Sequence, residues 1–249
     1  MLRRIDNGRY RVIEVLCSKD GYEASLCADA ASEAGNRTLL INTYTNADTI
    51  RELLPIFYSV QMNGLRSFRG LTTADGSISA IFEYKDGESL EHFLRQSPEA
   101  DFFDRTDITE SLLSAALELD LLDSRIAGRV LLPYNTVLER ASKSISLNFL
   151  IDPEVQAPKN YLPFRLGEML RLVFPQDRLL PIEIDVYISK LLGGGYESLA
   201  AAYSAWRQIR QAALTAFEKN RNETVFQYLL RCAKEKPLRK RRYDGKKDN

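Results

Sequence analysis

Ile81-Phe-Glu-Tyr-Lys-Asp-Gly-Glu-Ser-Leu-Glu-His-Phe-Leu94 marks the point at which the sequence changes from strand patterning to helix patterning. Its first residues are β-branched or aromatic, which is typical of strands. Gly87 indicates a turn, and Ser89 is a residue type that caps helices, so a helix is expected over residues 90–94. Strands before this stretch and helices after it predict an α+β fold.

Residues 1–84 are predicted to hold five strands and one helix. Alternating and β-branched residues indicate the strands, and apolar residues at helical spacing after Asn46 or Asp48 indicate a capped helix. Pro55 is expected to interrupt or kink that helix. The order of three strands, a helix and two strands predicts a small antiparallel sheet. The strands are placed at residues 10–16, 23–28, 38–44, 65–71 and 78–84, and the helix at 50–60.

Residues 85–233 are predicted to be mostly helical, with strand-like sequence only at 131–138 and 144–151. The last helix is expected at 222–234, ending before Pro237 because proline interrupts helices. No repeat and no long linker divides the chain. The other helices are expected after Thr109 and at 163–174, 181–192 and 196–219.

Composition excludes several classes of protein. Of 249 residues, 45% are hydrophobic and 27% are charged, as in ordinary globular proteins. Cys17, Cys27 and Cys232 are odd in number and scattered, which favours a reducing cytoplasm over a disulfide framework. His92 is the only histidine, so a multi-histidine metal site is excluded, and we expect neither a metal nor a cofactor.

Residues 234–249 form a basic tail that we expect to be disordered. They hold eight basic and three acidic residues, a net charge of +5, which leaves −5 for the rest of this neutral chain. Such a tail is typical of a segment that binds acidic surfaces, or of a solvated terminus. Its basic residues are Lys234, Lys236, Arg239, Lys240, Arg241, Arg242, Lys246 and Lys247.

The segment Gly128-Arg-Val-Leu-Leu-Pro-Tyr-Asn135 resembles the catalytic loop of protein kinases, His-Arg-Asp-x-x-Pro-x-Asn. Together with the stretch at 81–94 and the apolar helix at 161–174, it makes residues 8 to about 215 similar to a reduced, bacterial-type kinase fold. The resemblance implies two lobes, a small one at 1–84 and a helical one at 85–233. It also implies where the catalytic groups should stand.

Four of those groups are replaced: the phosphate-binding glycines, the nucleotide-binding lysine, the catalytic base and the metal-binding aspartate. Cys17, Lys19 and Tyr22 occupy the places of three phosphate-binding glycines, and Gly21 is one residue out of phase. Asn42 stands in place of the nucleotide-binding lysine. Glu52 is near the expected partner of that lysine and should be solvated. Val130 stands in place of the catalytic base, and valine cannot accept a proton.

The metal-binding positions are altered as well. Asn148 falls in place of the metal-binding aspartate and Leu150 in place of the following glycine, although a shifted alignment would offer Asp152. Asn135 remains, but neutral amides hold magnesium poorly.

We therefore expect a catalytically inactive pseudokinase, not an enzyme, that binds another protein as a scaffold or regulatory module. One alternative is an atypical nucleotide-binding kinase that uses Lys19 with Asn135 and Asn148 or Asp152. A second alternative is a protein whose basic tail binds nucleic acid or an acidic membrane. No small-molecule substrate is expected.

Overall fold

Six strands near the N-terminus form one antiparallel sheet in the computed structural model, which describes residues 4–5, 9–30, 37–74, 76–96, 101–155, 162–177 and 179–244. Five of the strands match the predicted ones, and the first is additional, because a two-residue strand gives no alternating pattern. The strands are β1 (Arg4–Ile5), β2 (Tyr10–Lys19), β3 (Tyr22–Asp29), β4 (Thr38–Tyr44), β5 (Phe68–Ala74) and β6 (Ser77–Glu83). Their order in the sheet is β1-β2-β3-β4-β6-β5.

The two faces of β4 serve two different cores. Leu39 and Ile41 point to a small apolar cluster on one face. Leu40 and Tyr44 point to the main core on the other face, and Asn42 lies between them in the same alternation. The period of two therefore turns Asn42 toward the main core, where it is fully buried.

Helix α1 (Ala47–Met62) covers the main-core face of the sheet. Asn46 caps it, since its side-chain oxygen accepts hydrogen bonds from the backbone N–H groups of Asp48 and Thr49. Pro55 lies inside the helix without ending it, contrary to the predicted interruption. The apolar residues of α1 that are buried are Leu53, Ile56, Phe57 and Val60.

The hairpin between β2 and β3 turns at Asp20 and Gly21. Gly21 has φ +73°, and a Cβ atom there would lie 2.9 Å from the Cβ of Asn46. We expect Gly21→Ala to lower the free energy of unfolding by roughly 1–2 kcal/mol, because alanine is strained at this φ and contacts the cap of α1. Urea unfolding measures this. Gly76→Ala (φ +75°) is the control for the effect of φ alone, since nothing lies within 4 Å of its added Cβ atom. Equal losses of unfolding free energy in the two variants would show that the contact with Asn46 adds nothing.

The rest of the chain is mostly helical and includes a small sheet in the order β7-β8-β9. Short 3-10 helices lie at Leu117–Leu121 and Pro133–Asn135. The strands are β7 (Glu88–Ser89), β8 (Thr136–Glu139) and β9 (Ser144–Leu147). The helices are α2 (Leu90–Gln96), α3 (Phe102–Ala116), α4 (Ser124–Val130), α5 (Leu162–Val173), α6 (Ile182–Leu192), α7 (Leu199–Arg221) and α8 (Val225–Asp244).

The helical core is built around α5 and α7. Gly167 of α5 allows α6 to approach closely, since an added Cβ atom would lie 2.9 Å from the Cβ of Leu191. Trp206 of α7 is fully buried against the rings of Phe174 and Tyr187. Among the described residues, no helix has the length and the apolar composition needed to cross a membrane.

Two predictions about helices in this part need correction. The long helix that was predicted to follow Thr109 is α3, which starts at Phe102 with Asp101 as its cap. Thr109 lies inside this helix, and its hydroxyl donates to the carbonyl of Arg105. The last helix passes Pro237 and continues to Asp244, so much of the predicted disordered tail is helical. Its abundant lysine, arginine and leucine favour helix formation. Residues 245–249, with Lys246 and Lys247, lie outside the described residues.

Candidate functional site

The candidate site is the cleft between the sheet and the helical part, where the predicted kinase positions meet. Asn42 lies at its centre and makes three hydrogen bonds. Its Nδ2 donates to the carbonyl of Phe149 at 2.8 Å. Its Oδ1 accepts from the Tyr22 hydroxyl at 2.9 Å and from the N–H of Ile151 at 2.9 Å. The residue in place of the kinase lysine therefore joins the sheet directly to residues 149–151.

Two tyrosines fill the space beside Asn42. The rings of Tyr22 and Tyr44 stack with centroids 5.3 Å apart. The Tyr44 hydroxyl donates to the carbonyl of Ile151 at 2.8 Å. Burial raises the pKa of both phenols well above the usual value, so both donate as neutral groups at physiological pH. Tyr22 thus takes the place of a phosphate-binding glycine with a buried ring.

Phe149 closes the deeper part of the cleft. Its ring lies parallel to that of Phe82 on β6, with centroids 4.9 Å apart. Phe82 in turn contacts Phe68 and Phe57, so a continuous set of aromatic rings extends from the cleft to α1. These contacts line the deeper part of the cleft with packed aromatic rings.

Asn148 contacts the chain that connects the two parts of the molecule. Its Oδ1 accepts from the N–H of Lys85 at 2.8 Å, and its Nδ2 donates to the Lys85 carbonyl at 3.0 Å. The Asn148 side chain thereby bonds both the backbone N–H and the backbone carbonyl of Lys85. Asn148 was predicted at the metal position, and the structure places its amide on Lys85 instead.

Asn135 is equally committed to the backbone. Its Nδ2 donates to the carbonyls of Arg129 and Leu150 at 3.1 and 3.0 Å, and its Oδ1 accepts from the N–H of Leu150 at 3.3 Å. The side chain is buried. Asn135 therefore holds the loop at 129–135 against residue 150.

Lys19 lies at the mouth of the cleft and contacts Asp152, one of the other residues of the nucleotide alternative. Its Nζ donates to Asp152 at 2.6 Å and to Glu154 at 2.8 Å. Hydrogen bonds to Asp152, and then to Glu154, raise the pKa of Lys19, so it is cationic at neutral pH. Asp152 is buried, whereas Glu154 is exposed. The carboxylates are thus both engaged by a cation of the protein.

Glu52 is exposed, as predicted for a solvated carboxylate, and it also lies near a buried cation. Its Oε1 is 3.6 Å from a terminal nitrogen of Arg129. Arg129 also donates to the carbonyls of Pro153 and Val155 at 3.2 and 3.1 Å. The arginine in the catalytic-loop segment therefore pairs with Glu52 and also holds residues 153–155.

Val130 lies fully buried in the main core at the end of α4. Cys17 is half-buried on β2 and is a free thiol. Among the described residues, no group of three or more histidine, cysteine, aspartate and glutamate side chains could hold a metal ion.

The donor set at these positions does not fit a magnesium ion. A hard dication prefers unengaged carboxylate oxygens. Here the amides of Asn135 and Asn148 bond the backbone, and Asp152 bonds Lys19. A magnesium ion held by these side chains would require these contacts to break.

Sequence reasoning missed Tyr44, Phe82, Lys85 and Glu154 as parts of this cleft. Phe82 and Lys85 belong to the stretch at 81–94, but as ordinary strand and turn residues. No local pattern distinguishes them, since their partners are distant in sequence.

Comparisons with known proteins identify the fold. No protein-family model matches the sequence, and no curated protein sequence matches it. Solved structures do. The kinase domain of Mycobacterium tuberculosis PknI matches with TM-score 0.58 and 15% identity, over 80% of this chain and 96% of that chain. A cysteine-to-alanine mutant of that domain matches with TM-score 0.57 and 16% identity, over 80% of this chain and 95% of that chain. Rad53 1-466 in complex with AMP-PNP matches with TM-score 0.57 and 14% identity, over 80% of this chain and 66% of that chain.

The chain therefore has a protein kinase-like α+β fold with two lobes, as predicted. The prediction that it is not an enzyme is wrong on this comparison, because the similar structures are kinase domains, which are enzymes. At 14–16% identity the likeness concerns the fold.

Proposed function

We propose that this chain works as a protein-interaction or regulatory module built on the kinase-like fold, in a bacterial cytoplasm. One observation supports the proposal: side chains of the sheet bond the backbone of residues 149–151 across the cleft. Asn42 does so with its amide and Tyr44 with its hydroxyl, while Asn148 bonds Lys85 in the connecting segment. The closed arrangement of the lobes is thus kept by the protein itself, and a fixed shape lowers the entropic cost of binding a partner.

We expect magnesium and ATP to leave the melting temperature unchanged within about 1 °C. A ligand at about 100 times its dissociation constant adds about 2.7 kcal/mol to stability, which shifts the melting temperature of a chain of this size by several degrees. Differential scanning fluorimetry measures the effect. A shift of several degrees that disappears in Asn135→Ala or Asn148→Ala would count against the proposal.

The partner function is tested by capture from extracts of the native host. Wild-type protein, Asn42→Ala and the control Asn222→Ala are immobilised at equal folded amounts, measured by circular dichroism. Asn222 follows α7, and its exposed side chain donates to the Glu218 carbonyl of that helix. We expect one host protein to be recovered on the wild type and on the control, and much less of it on Asn42→Ala. Equal recovery on all three, or none on any, would contradict it.

A second candidate function is an atypical nucleotide-binding kinase. Lys19 at the mouth of the cleft, with its Nζ 2.6 Å from Asp152, is the observation that favours it. If this function is correct, incubation with ATP labelled with ³²P at the γ-phosphate transfers label to a protein acceptor, and Lys19→Ala abolishes the transfer. Lys143→Ala is the control and should keep the transfer, since Lys143 pairs with Asp104 and Asp107 outside the cleft. Transfer that survives Lys19→Ala would remove this candidate.

A further inference from the structure

Helix α8 exposes its apolar side and turns a polar side inward. Phe226, Leu229 and Leu230 are 69%, 59% and 48% exposed and lie at i, i+3 and i+4, on one face of the helix. Glu235 is buried and Arg231 is half-buried. This is the reverse of the usual placement of a surface helix, whose apolar face packs on the core.

Arg231 makes ion pairs along the polar side of α8 and with the segment before it. It pairs with Glu223, which precedes the helix, at 2.9 Å, and with Glu235 one turn later at 3.3 Å. Its guanidinium also lies 5.5 Å from the ring centre of Tyr228. Rolling the helix to bury Phe226 would break the pair with Glu223, the one of these contacts that reaches outside the helix. In the structure the apolar face is therefore exposed and available for a partner.

The sequence of α8 indicates the chemistry of that partner. Its C-terminal half is strongly basic within a helix of 20 residues. Basic residues combined with an exposed phenylalanine and two leucines are typical of helices that lie in the interface of an anionic bilayer. Nucleic acid would use the basic residues but gain little from the leucines. The basic residues within α8 are Arg231, Lys234, Lys236, Arg239, Lys240, Arg241 and Arg242.

We propose that α8 docks the protein on an anionic lipid surface. Phe226, Leu229 and Leu230 insert at the boundary between headgroups and acyl chains, and the positive charge of the sequence that follows attracts anionic headgroups. The helix lies along the surface and does not cross it, in keeping with its low apolar content. The docking is independent of the cleft, so it is tested separately from the module function.

Vesicle co-flotation tests the proposal with the full chain. We expect binding to vesicles of phosphatidylcholine with about 30% phosphatidylserine, and at least about tenfold weaker binding to pure phosphatidylcholine. The triple variant F226S/L229S/L230S should lose at least about tenfold in affinity for the anionic vesicles. Lys236→Glu with Arg239→Glu should lose a similar factor, and about 0.5 M NaCl should weaken wild-type binding.

Met62→Ser is the matched control, because Met62 is 86% exposed on α1 and should leave vesicle binding unchanged. Circular dichroism confirms that the variants keep their helix content. Equal flotation of wild type and triple variant would overturn the proposal. Absence of flotation would also overturn the proposal. If DNA binding were seen instead, the apolar and basic face of α8 would serve nucleic acid. If sedimentation showed a dimer that the triple variant abolishes, the face would serve a second copy of the chain.

Discussion

Asn42→Ala is expected to lower the free energy of unfolding by roughly 3–5 kcal/mol, a large part of the stability of a typical domain. The substitution leaves the Tyr22 hydroxyl, the Ile151 N–H and the Phe149 carbonyl without their buried partner. Each group then bears its desolvation cost, about 1–3 kcal/mol. Urea unfolding followed by circular dichroism measures the loss.

Asn222→Ala is the control for this prediction. It removes the same side chain from an exposed position and should change stability by at most about 1 kcal/mol. If Asn42→Ala costs no more than this control, the hydrogen bonds across the cleft do not carry the closed arrangement.

Phe149→Ala is expected to cost roughly 3–5 kcal/mol, for a different reason. The ring is 2% exposed and stacks on Phe82, so its removal leaves a cavity between the lobes. The backbone carbonyl of residue 149 can still accept from Asn42, which isolates the contribution of the ring. Phe149→Leu should recover much of the loss, because it refills most of the volume.

The matched control is Phe226→Ala, which removes an identical ring that is 69% exposed and should change stability by about 0.5 kcal/mol or less. Similar losses at the two positions, measured by thermal and urea unfolding, would mean that the aromatic contact does not hold the cleft closed.

Most of the fold could be predicted because its signals are local. The stretch at 81–94 contains strand residues, a turn glycine and a cap within fourteen positions, and the cap appears as Ser89 Oγ accepting from the N–H of His92 at 3.2 Å. Strand β1 has two residues and no period to detect. Helix α8 continues past Pro237 because one lost hydrogen bond does not outweigh the propensity of its neighbours.

The candidate site could be predicted only in part. The register of β4 placed Asn42 at the lysine position of the kinase pattern. Its partners could not be predicted, because the bonds to Phe149 and Ile151 join residues 107 and 109 positions apart. The same limit hid the pairing of Glu52 with Arg129, since an ion pair between distant elements follows from packing and not from spacing.

The pairing of Asn148 with Lys85 has a consequence for signalling. It fixes the segment that connects the sheet to the helical part at Lys85, so we expect a force applied to the sheet to pass into the helices. A protein bound to one lobe would then slow amide exchange in the other. Such a molecule can relay occupancy from one end to the other through stiffness alone, without a moving part.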